Sequence, residues 1–79
     1  MTEKANKIYN SNSKIIDIII KTTVNKRYNG YLGKFFSKEE LEQECRLKIL
    51  KELDNFDKNE VSLESFVGQI SKYRIQNRG

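Results

Sequence analysis

No proline occurs in the 79 residues of this chain, and glycine occurs only 4 times. Proline breaks helices and glycine weakens them, so a chain poor in both favours helices over a turn-rich β architecture. A chain of this length has room for one small domain with a thin hydrophobic core. We therefore expect a single, all-α domain.

The residue types exclude most enzymatic and metal chemistry. Histidine, the commonest general base and zinc ligand, is absent, and one cysteine cannot form an internal disulfide or a thiolate metal cage. Glu40 and Glu44 lie one helical turn apart, but no third ligand accompanies this pair of carboxylates. We therefore expect a binding module that is not an enzyme and that uses no metal or cofactor.

The chain has no segment typical of secretion or of membrane insertion. The longest apolar stretch, residues 15–20, contains Asp17 and is far shorter than the roughly 20 residues that cross a bilayer. A single free cysteine fits a reducing compartment. We expect a cytoplasmic protein with no membrane partner.

The charges are unevenly distributed along the chain. Residues 1–37 carry 7 basic and 2 acidic side chains, residues 38–57 carry 4 and 7, and residues 58–79 carry 4 and 2. The basic ends suit phosphate groups, whereas the acidic middle suits a basic protein surface. The alternative is that these are ordinary solvated faces.

The first predicted helix covers residues 13–27, with Ser11 or Ser13 as its cap. The apolar side of this helix consists of Ile15, Ile16, Ile19, Ile20 and Thr23. The β-branched run also suits a strand, but the chain offers no second strand for pairing. Residues 1–11 are expected to be a flexible segment in front of a domain over residues 12–79.

Two further helices are predicted, each beginning at a serine cap. After a connection over residues 28–36, Ser37 and Glu40 match a capping box, in which each side chain bonds the other residue's backbone amide. Ser62 caps the third helix, which continues almost to the end of the chain. Its apolar stripe consists of Leu63, Phe66, Val67, Ile70 and Tyr73.

The second helix has two different faces. At about 100° per residue, its core stripe consists of Leu41, Cys45, Ile49, Leu53 and Phe56. The opposite face carries Glu40, Gln43, Glu44, Leu47 and Leu50. Leucines among carboxylates suit a docking patch for an arginine-bearing partner, although single exposed leucines also occur on ordinary surfaces.

Residues 39–57, EELEQECRLKILKELDNFD, resemble region 2.2 of bacterial sigma factors of the sigma-70 family. That region has an acidic residue, Leu, any residue, Gln and Glu, and then a helix that ends in Phe-Asp or Phe-Glu. The flanking segments NSKIIDIIIKTTVNKRY and VSLESFVGQISKYRIQN resemble region 2.1 and regions 2.3 to 2.4. The resemblance covers residues 12–78 and implies a small three-helix domain of the region 2 type.

In that family, region 2.2 docks on the clamp helices of the RNA polymerase β′ subunit. The resemblance implies polymerase binding for five second-helix residues, namely Glu40, Gln43, Glu44, Arg46 and Leu50. Leu47, on the same outward face of the helix, completes the predicted polymerase-binding set. A DNA-contact set near the chain end is also predicted, namely Lys72, Tyr73, Arg74, Asn77 and Arg78, with Tyr73 stacking on a base. Alternatively, Tyr73 completes the core stripe and the cations form a solvated helix end.

Two departures from the family qualify the function that the resemblance implies. Gln69 and Ile70 stand where housekeeping members have paired tryptophans that help open promoter DNA. With 79 residues, we expect the region 4 module to come from a second sigma-like chain, as in two-chain co-sigma systems of the RsoA kind or in small phage and mobile-element sigma-like proteins.

The resemblance therefore implies a transcription-initiation component that binds polymerase and, with that second chain, assists recognition or melting of the −10 element of promoter DNA. The alternative is a small helical phage or mobile-element regulator that occupies the clamp site, or another protein, without reading DNA. The residues after Ile70 distinguish these two functions, because a DNA-binding protein needs basic and exposed residues there and a regulator that only occupies the clamp does not.

Overall fold

The computed structural model describes residues 3–76, with residue 31 described by its backbone alone. Every regular element in that range is helical, which confirms the all-α class. The α-helices are α1 Glu3–Ser11, α2 Ser13–Arg27, α3 Gly30–Gly33, α4 Lys38–Glu52 and α5 Leu63–Gln76. A 3-10 turn, Leu53–Asn55, extends α4. The three predicted helices correspond to α2, α4 and α5.

These three long helices pack around a common core. The predicted core stripe of α4 is confirmed, because Leu41, Cys45, Ile49 and Leu53 are all buried. The other helices supply the remaining buried apolar side chains, which are Ala5, Ile16, Ile20, Val24, Val67 and Ile75. Phe56 lies partly buried at one edge of the core. There its ring meets the ring of Phe66 at a tilted angle, with 5.1 Å between the ring centroids.

The predicted flexible segment at the N-terminus is instead a helix over the described residues 3–11. Ala5 of α1 is completely buried, and Ile8 and Tyr9 pack against the core. Lys4 Nζ donates hydrogen bonds to the carbonyl oxygens of Asp54, at 3.2 Å, and Phe56, at 3.0 Å. This helix therefore covers the 3-10 turn that follows α4, and Lys4 supplies a donor to two of the backbone carbonyl groups there.

The helix caps agree with the prediction at α4 and α5 but not at α2. At α4, Glu40 N donates to Ser37 Oγ at 3.1 Å and Ser37 N donates to the Glu40 carboxylate at 3.3 Å, which confirms the capping box. Ser62 Oγ accepts a hydrogen bond from Ser65 N at 3.2 Å, as predicted. At α2 neither predicted serine caps the helix: Asn12 occupies the N-cap position, and its side-chain amide donates instead to the Ile8 carbonyl.

Two residues of the predicted apolar stripes are exposed. The buried line of α2 is Ile16, Ile20 and Val24, and Ile15 falls outside it with 45% of its surface exposed. In α5 the buried positions are Val67, Ser71 and Ile75, which also follow a spacing of four residues. Tyr73 lies midway between two of these positions, on the far side of the helix. It is 57% exposed and does not complete the core.

Candidate functional site

The side of α4 that faces away from the core is called here the α4 outer face, and it consists of Glu40, Gln43, Leu47 and Leu50. Leu47 is 63% exposed and Leu50 is partly buried, while Glu40 and Gln43 are exposed. The two leucines lie in an open groove of about 730 Å³, whose other lining residues are Glu44, Lys48, Lys51, Asp54 and Arg74. The structure therefore places the two leucines beside both acidic and basic side chains, with Arg74 of α5 at one edge of the groove.

Two ion pairs mark the borders of the α4 outer face. On a helical wheel with Leu41 at about 0°, Arg46 lies at about 140° and Glu44 at about 300°. Arg46 Nη2 pairs with Asp17 of α2 at 2.5 Å, and Arg74 Nη2 of α5 pairs with Glu44 Oε1 at 2.8 Å. The sequence predicted Glu44 and Arg46 as partner contacts, but in this structure each one also joins α4 to a neighbouring helix.

Arg46 makes a further contact besides its ion pair with Asp17. It donates a 3.0 Å hydrogen bond to the side-chain oxygen of Gln43, which orients that amide on the outer face. The hydrogen bond to Asp17 raises the pKa of Arg46 above its ordinary value, and partial burial opposes this shift only in part. Arg46 therefore carries a permanent charge that is already satisfied within the chain.

The predicted DNA-contact residues of α5 are exposed where the structure describes them. Lys72, Tyr73 and Arg74 all lie on the surface of the last turns. Arg74 is turned toward α4 by its ion pair with Glu44. Asn77 and Arg78 lie outside the described residues. The structure thus brings part of the predicted DNA-contact set next to the predicted polymerase-contact set.

A second group of basic residues was not predicted from the sequence. Lys26 and Arg27, in the last turn of α2, line a groove of about 380 Å³ together with Ile75 and Gln76 of α5. The connection after α2 lines the same groove, through Tyr28, Asn29 and Leu32. A signal for this group was present, because residues 18–38 contain no Asp or Glu.

Other kinds of site are not seen in the part of the chain that the structure describes. Within residues 3–76, no group of three or more Cys, Asp or Glu side chains is arranged to hold a metal ion. None of the helices in that range is long and apolar enough to cross a membrane.

Comparison with known proteins adds no relative to this description. No protein family, curated protein or solved structure matches the chain. The structure by itself defines a small helical bundle with an outer face on α4 that carries Glu40, Gln43, Leu47 and Leu50, and with basic residues near the ends of α2 and α5.

Proposed function

We propose that this protein is a cytoplasmic transcription-initiation component that binds the clamp helices of the RNA polymerase β′ subunit through the α4 outer face. The observation that supports this proposal is the combination of exposed Leu47 and partly exposed Leu50 with exposed Glu40 and Gln43. The resemblance to sigma region 2.2 implies polymerase contact for Glu40, Gln43 and Leu50, and Leu47 lies on the same face. The apolar atoms would be buried on binding, and the carboxylate and amide would select arginines of the partner.

DNA contact is the second part of the proposal. Exposed Lys72 and Tyr73 suit phosphate contact and base stacking at the end of α5. Together with a second chain that supplies region 4, such contacts would assist recognition or melting of the −10 element.

The alternative, a regulator that occupies the clamp without reading DNA, also has an observation in its favour. Arg74, the central cation of the predicted DNA set, pairs with Glu44 on the side of α4 rather than facing away from the bundle. An arginine that is paired in this way is less available to phosphates.

Binding to an immobilised β′ clamp-helix fragment tests the first part of the proposal. Gln43→Ala removes one outer-face hydrogen-bonding group, and Leu47→Ala removes exposed apolar surface, so neither change affects the core. We expect each variant to bind about 2- to 10-fold more weakly, in line with one lost hydrogen bond or partly buried side chain. Gln69→Ala is the matched control, because Gln69 is an exposed glutamine on α5. Unchanged affinity of both outer-face variants would exclude this surface.

Promoter opening by core polymerase separates the two functions. We expect the protein to support opening only when a candidate region 4 chain is added, and the Arg74→Ala, Arg78→Ala double variant to open promoters less well. If the double variant binds polymerase and opens promoters as the wild type does, the regulator becomes the better interpretation.

A further inference from the structure

Two consecutive hydrogen bonds connect α2 to the α4 outer face. Asp17, in the second turn of α2, accepts a hydrogen bond of 2.5 Å from Arg46 Nη2. The same guanidinium group donates through Nη1 to Gln43 Oε1, at 3.0 Å. Two nitrogen atoms of one planar group therefore join a carboxylate on α2 to an amide on the outer face.

Asp17 holds the Arg46 side chain in place. The bond between them joins opposite charges, and charge-assisted hydrogen bonds are roughly twice as strong as neutral ones. The guanidinium group is a rigid fork, so fixing one of its nitrogen atoms also fixes the direction of the other. Only 26% of the Arg46 side chain is exposed, which further restricts it. The direction of Nη1 toward Gln43 therefore depends on a residue outside α4.

The contact with Arg46 decides which way round the Gln43 amide lies. An arginine side chain only donates hydrogen bonds, whereas an amide has one accepting oxygen and one donating NH2 group. Oε1 is the amide atom that can bond Nη1, and the reverse orientation would set two donors against each other. Nε2 is attached to the same carbon on the other side, so it faces away from Arg46.

Gln43 therefore presents a hydrogen-bond donor on the α4 outer face. Its side chain is exposed, and its Nε2 has no acceptor among the residues that the structure describes. Glu40 lies one turn before it on the same face, and an ionised carboxylate only accepts hydrogen bonds. Two neighbouring polar groups of opposite kind thus lie side by side on this surface.

We infer that Gln43 selects a hydrogen-bond acceptor on the partner, a carboxylate or an amide carbonyl, and that Asp17 is a positioning residue for Gln43 through Arg46. The inference rests on the proposed function and narrows it. Glu40 selects an arginine of the clamp, and Gln43 selects an acceptor about one helical turn away from that arginine. A partner with arginines at both places would set donors against the Gln43 NH2 group and would bind less tightly.

Replacing Gln43 by glutamate distinguishes an acceptor on the partner from an arginine. Glutamate has the same shape and still accepts from Arg46, but it has no donor. We expect Gln43→Glu to bind the immobilised clamp-helix fragment about 5- to 100-fold more weakly than the wild type, and more weakly than Gln43→Ala. A glutamate that met an arginine would form a charged pair and bind more tightly instead.

Gln69→Glu is the matched control, since it adds the same charge at an exposed glutamine of α5. It should leave the affinity nearly unchanged. A folded Gln43→Glu variant that binds as tightly as the wild type, or more tightly, would overturn the inference.

A double-mutant cycle tests the positioning role of Asp17. Asp17→Asn removes the charge that fixes Arg46 and should weaken clamp binding by up to about 5-fold, as for a partly exposed ion pair. In the Gln43→Ala background the same change should have no further effect, because the amide that it positions is absent. Asp17→Glu should restore binding, whereas Glu64→Gln, which removes an exposed acid from α5, should have no effect. Equal effects of Asp17→Asn in both backgrounds would mean a general structural role and would contradict the inference.

The order of the amide can be measured on the free chain, without polymerase. NMR relaxation of the side-chain NH2 groups reports their motion on the picosecond to nanosecond timescale. We expect the Gln43 NH2 group to be more ordered than that of Gln69, and to become as mobile as that of Gln69 in Asp17→Asn. Equal mobility of the two glutamines in the wild type would overturn the inference alone. An ordered amide in a wild-type chain that does not bind the clamp fragment would instead reject the proposed function, and with it the clamp as the source of the acceptor.

Discussion

Arg74 Nη2 donates a hydrogen bond of 2.8 Å to Glu44 Oε1, so that a residue of the predicted DNA-contact set pairs with a residue of the predicted polymerase-contact set. The two residues are 30 positions apart in the chain and come from antiparallel helices, α5 and α4. Any partner that takes the Glu44 carboxylate must compete with Arg74 for it. The two surfaces that the proposed function needs are therefore adjacent, and they share one ion pair.

Arg74→Gln should increase the affinity for the clamp-helix fragment. Without Arg74, the Glu44 carboxylate no longer has to leave this arginine before it meets an arginine of the clamp. The pair is partly exposed, and such pairs contribute about 0.2–1 kcal/mol, so we expect an increase of up to about 5-fold. Binding of the variant and of the wild type to the immobilised clamp-helix fragment measures this increase.

Two further variants decide whether the ion pair causes the effect. Lys72→Gln removes the same charge from the same helix and should leave the affinity nearly unchanged. Glu44→Gln should weaken binding, because the clamp loses the carboxylate itself. If Arg74→Gln and Lys72→Gln have equal effects, overall charge explains them and competition for Glu44 does not.

Leu41→Ala should destabilise the domain far more than Leu50→Ala. Leu41 is 1% exposed, and removing a buried leucine side chain costs about 2–5 kcal/mol. Leu50 lies on the α4 outer face and is only partly buried, so its loss should cost about 1 kcal/mol or less. Thermal or denaturant unfolding of both variants provides the comparison. A larger loss at Leu50 would contradict the assignment of the two faces of α4.

Features that depend on neighbouring residues were predictable from the sequence. The capping box joins Ser37 to Glu40 within one turn, and the buried stripe of α4 follows from a periodicity that the helix itself imposes. The end of α2 at Arg27 and the cap of α5 by Ser62 also depend on residues that are close in sequence, and both were predicted. For these elements the local pattern and the tertiary structure agree.

Features that depend on distant residues were not predictable. α1 is held by contacts such as that of Lys4 with Phe56, which is 52 positions away, and the composition of its own sequence does not indicate them. The exposure of Tyr73 depends on which side of α5 faces α2 and α4, and a tyrosine suits either side. The ion pairs of Glu44 and Arg46 likewise require knowledge of which helices lie beside α4.

Gly68→Ala should stabilise the protein. Gly68 lies inside α5 with a φ that is not positive, and an added Cβ would meet only Ile19 Cγ2, at an ordinary contact distance of 3.9 Å. Alanine restricts the unfolded chain and favours the helix, so we expect a gain of about 0.4–1 kcal/mol in the free energy of unfolding.

Gly33→Ala is the contrasting variant. Its Cβ would lie 3.3 Å from Tyr28 Oη, which is tighter than ordinary packing and would disturb the hydrogen bond from Tyr28 to Phe36. We expect no gain or a loss of stability there. Denaturant unfolding measures both variants, and a destabilised Gly68→Ala would mean that α5 packs more closely on α2 than the structure shows.

Arg46→Gln should destabilise the protein by an amount that does not change across neutral pH. The hydrogen bond from Arg46 to Asp17 raises the pKa of the arginine, so its contribution to stability is fully present below the ordinary pKa of arginine. It is lost only when the pH rises through the still higher pKa of the folded state. Because both side chains are partly exposed, we expect a loss of about 0.5–1 kcal/mol.

Denaturant unfolding of wild type and variant, at about pH 6 and about pH 9, measures this difference. Lys48→Gln is the control, since it breaks the exposed pair that Lys48 forms with Glu52, at 3.4 Å within one helix. That pair should contribute only about 0.3–0.5 kcal/mol. Breaking the ion pair between Arg46 and Asp17 should therefore lower the free energy of unfolding more than breaking the Lys48 pair does, because it joins α4 to α2. A loss at Arg46 no larger than at Lys48, or one that disappears by the higher pH, would contradict the structural role assigned to Arg46.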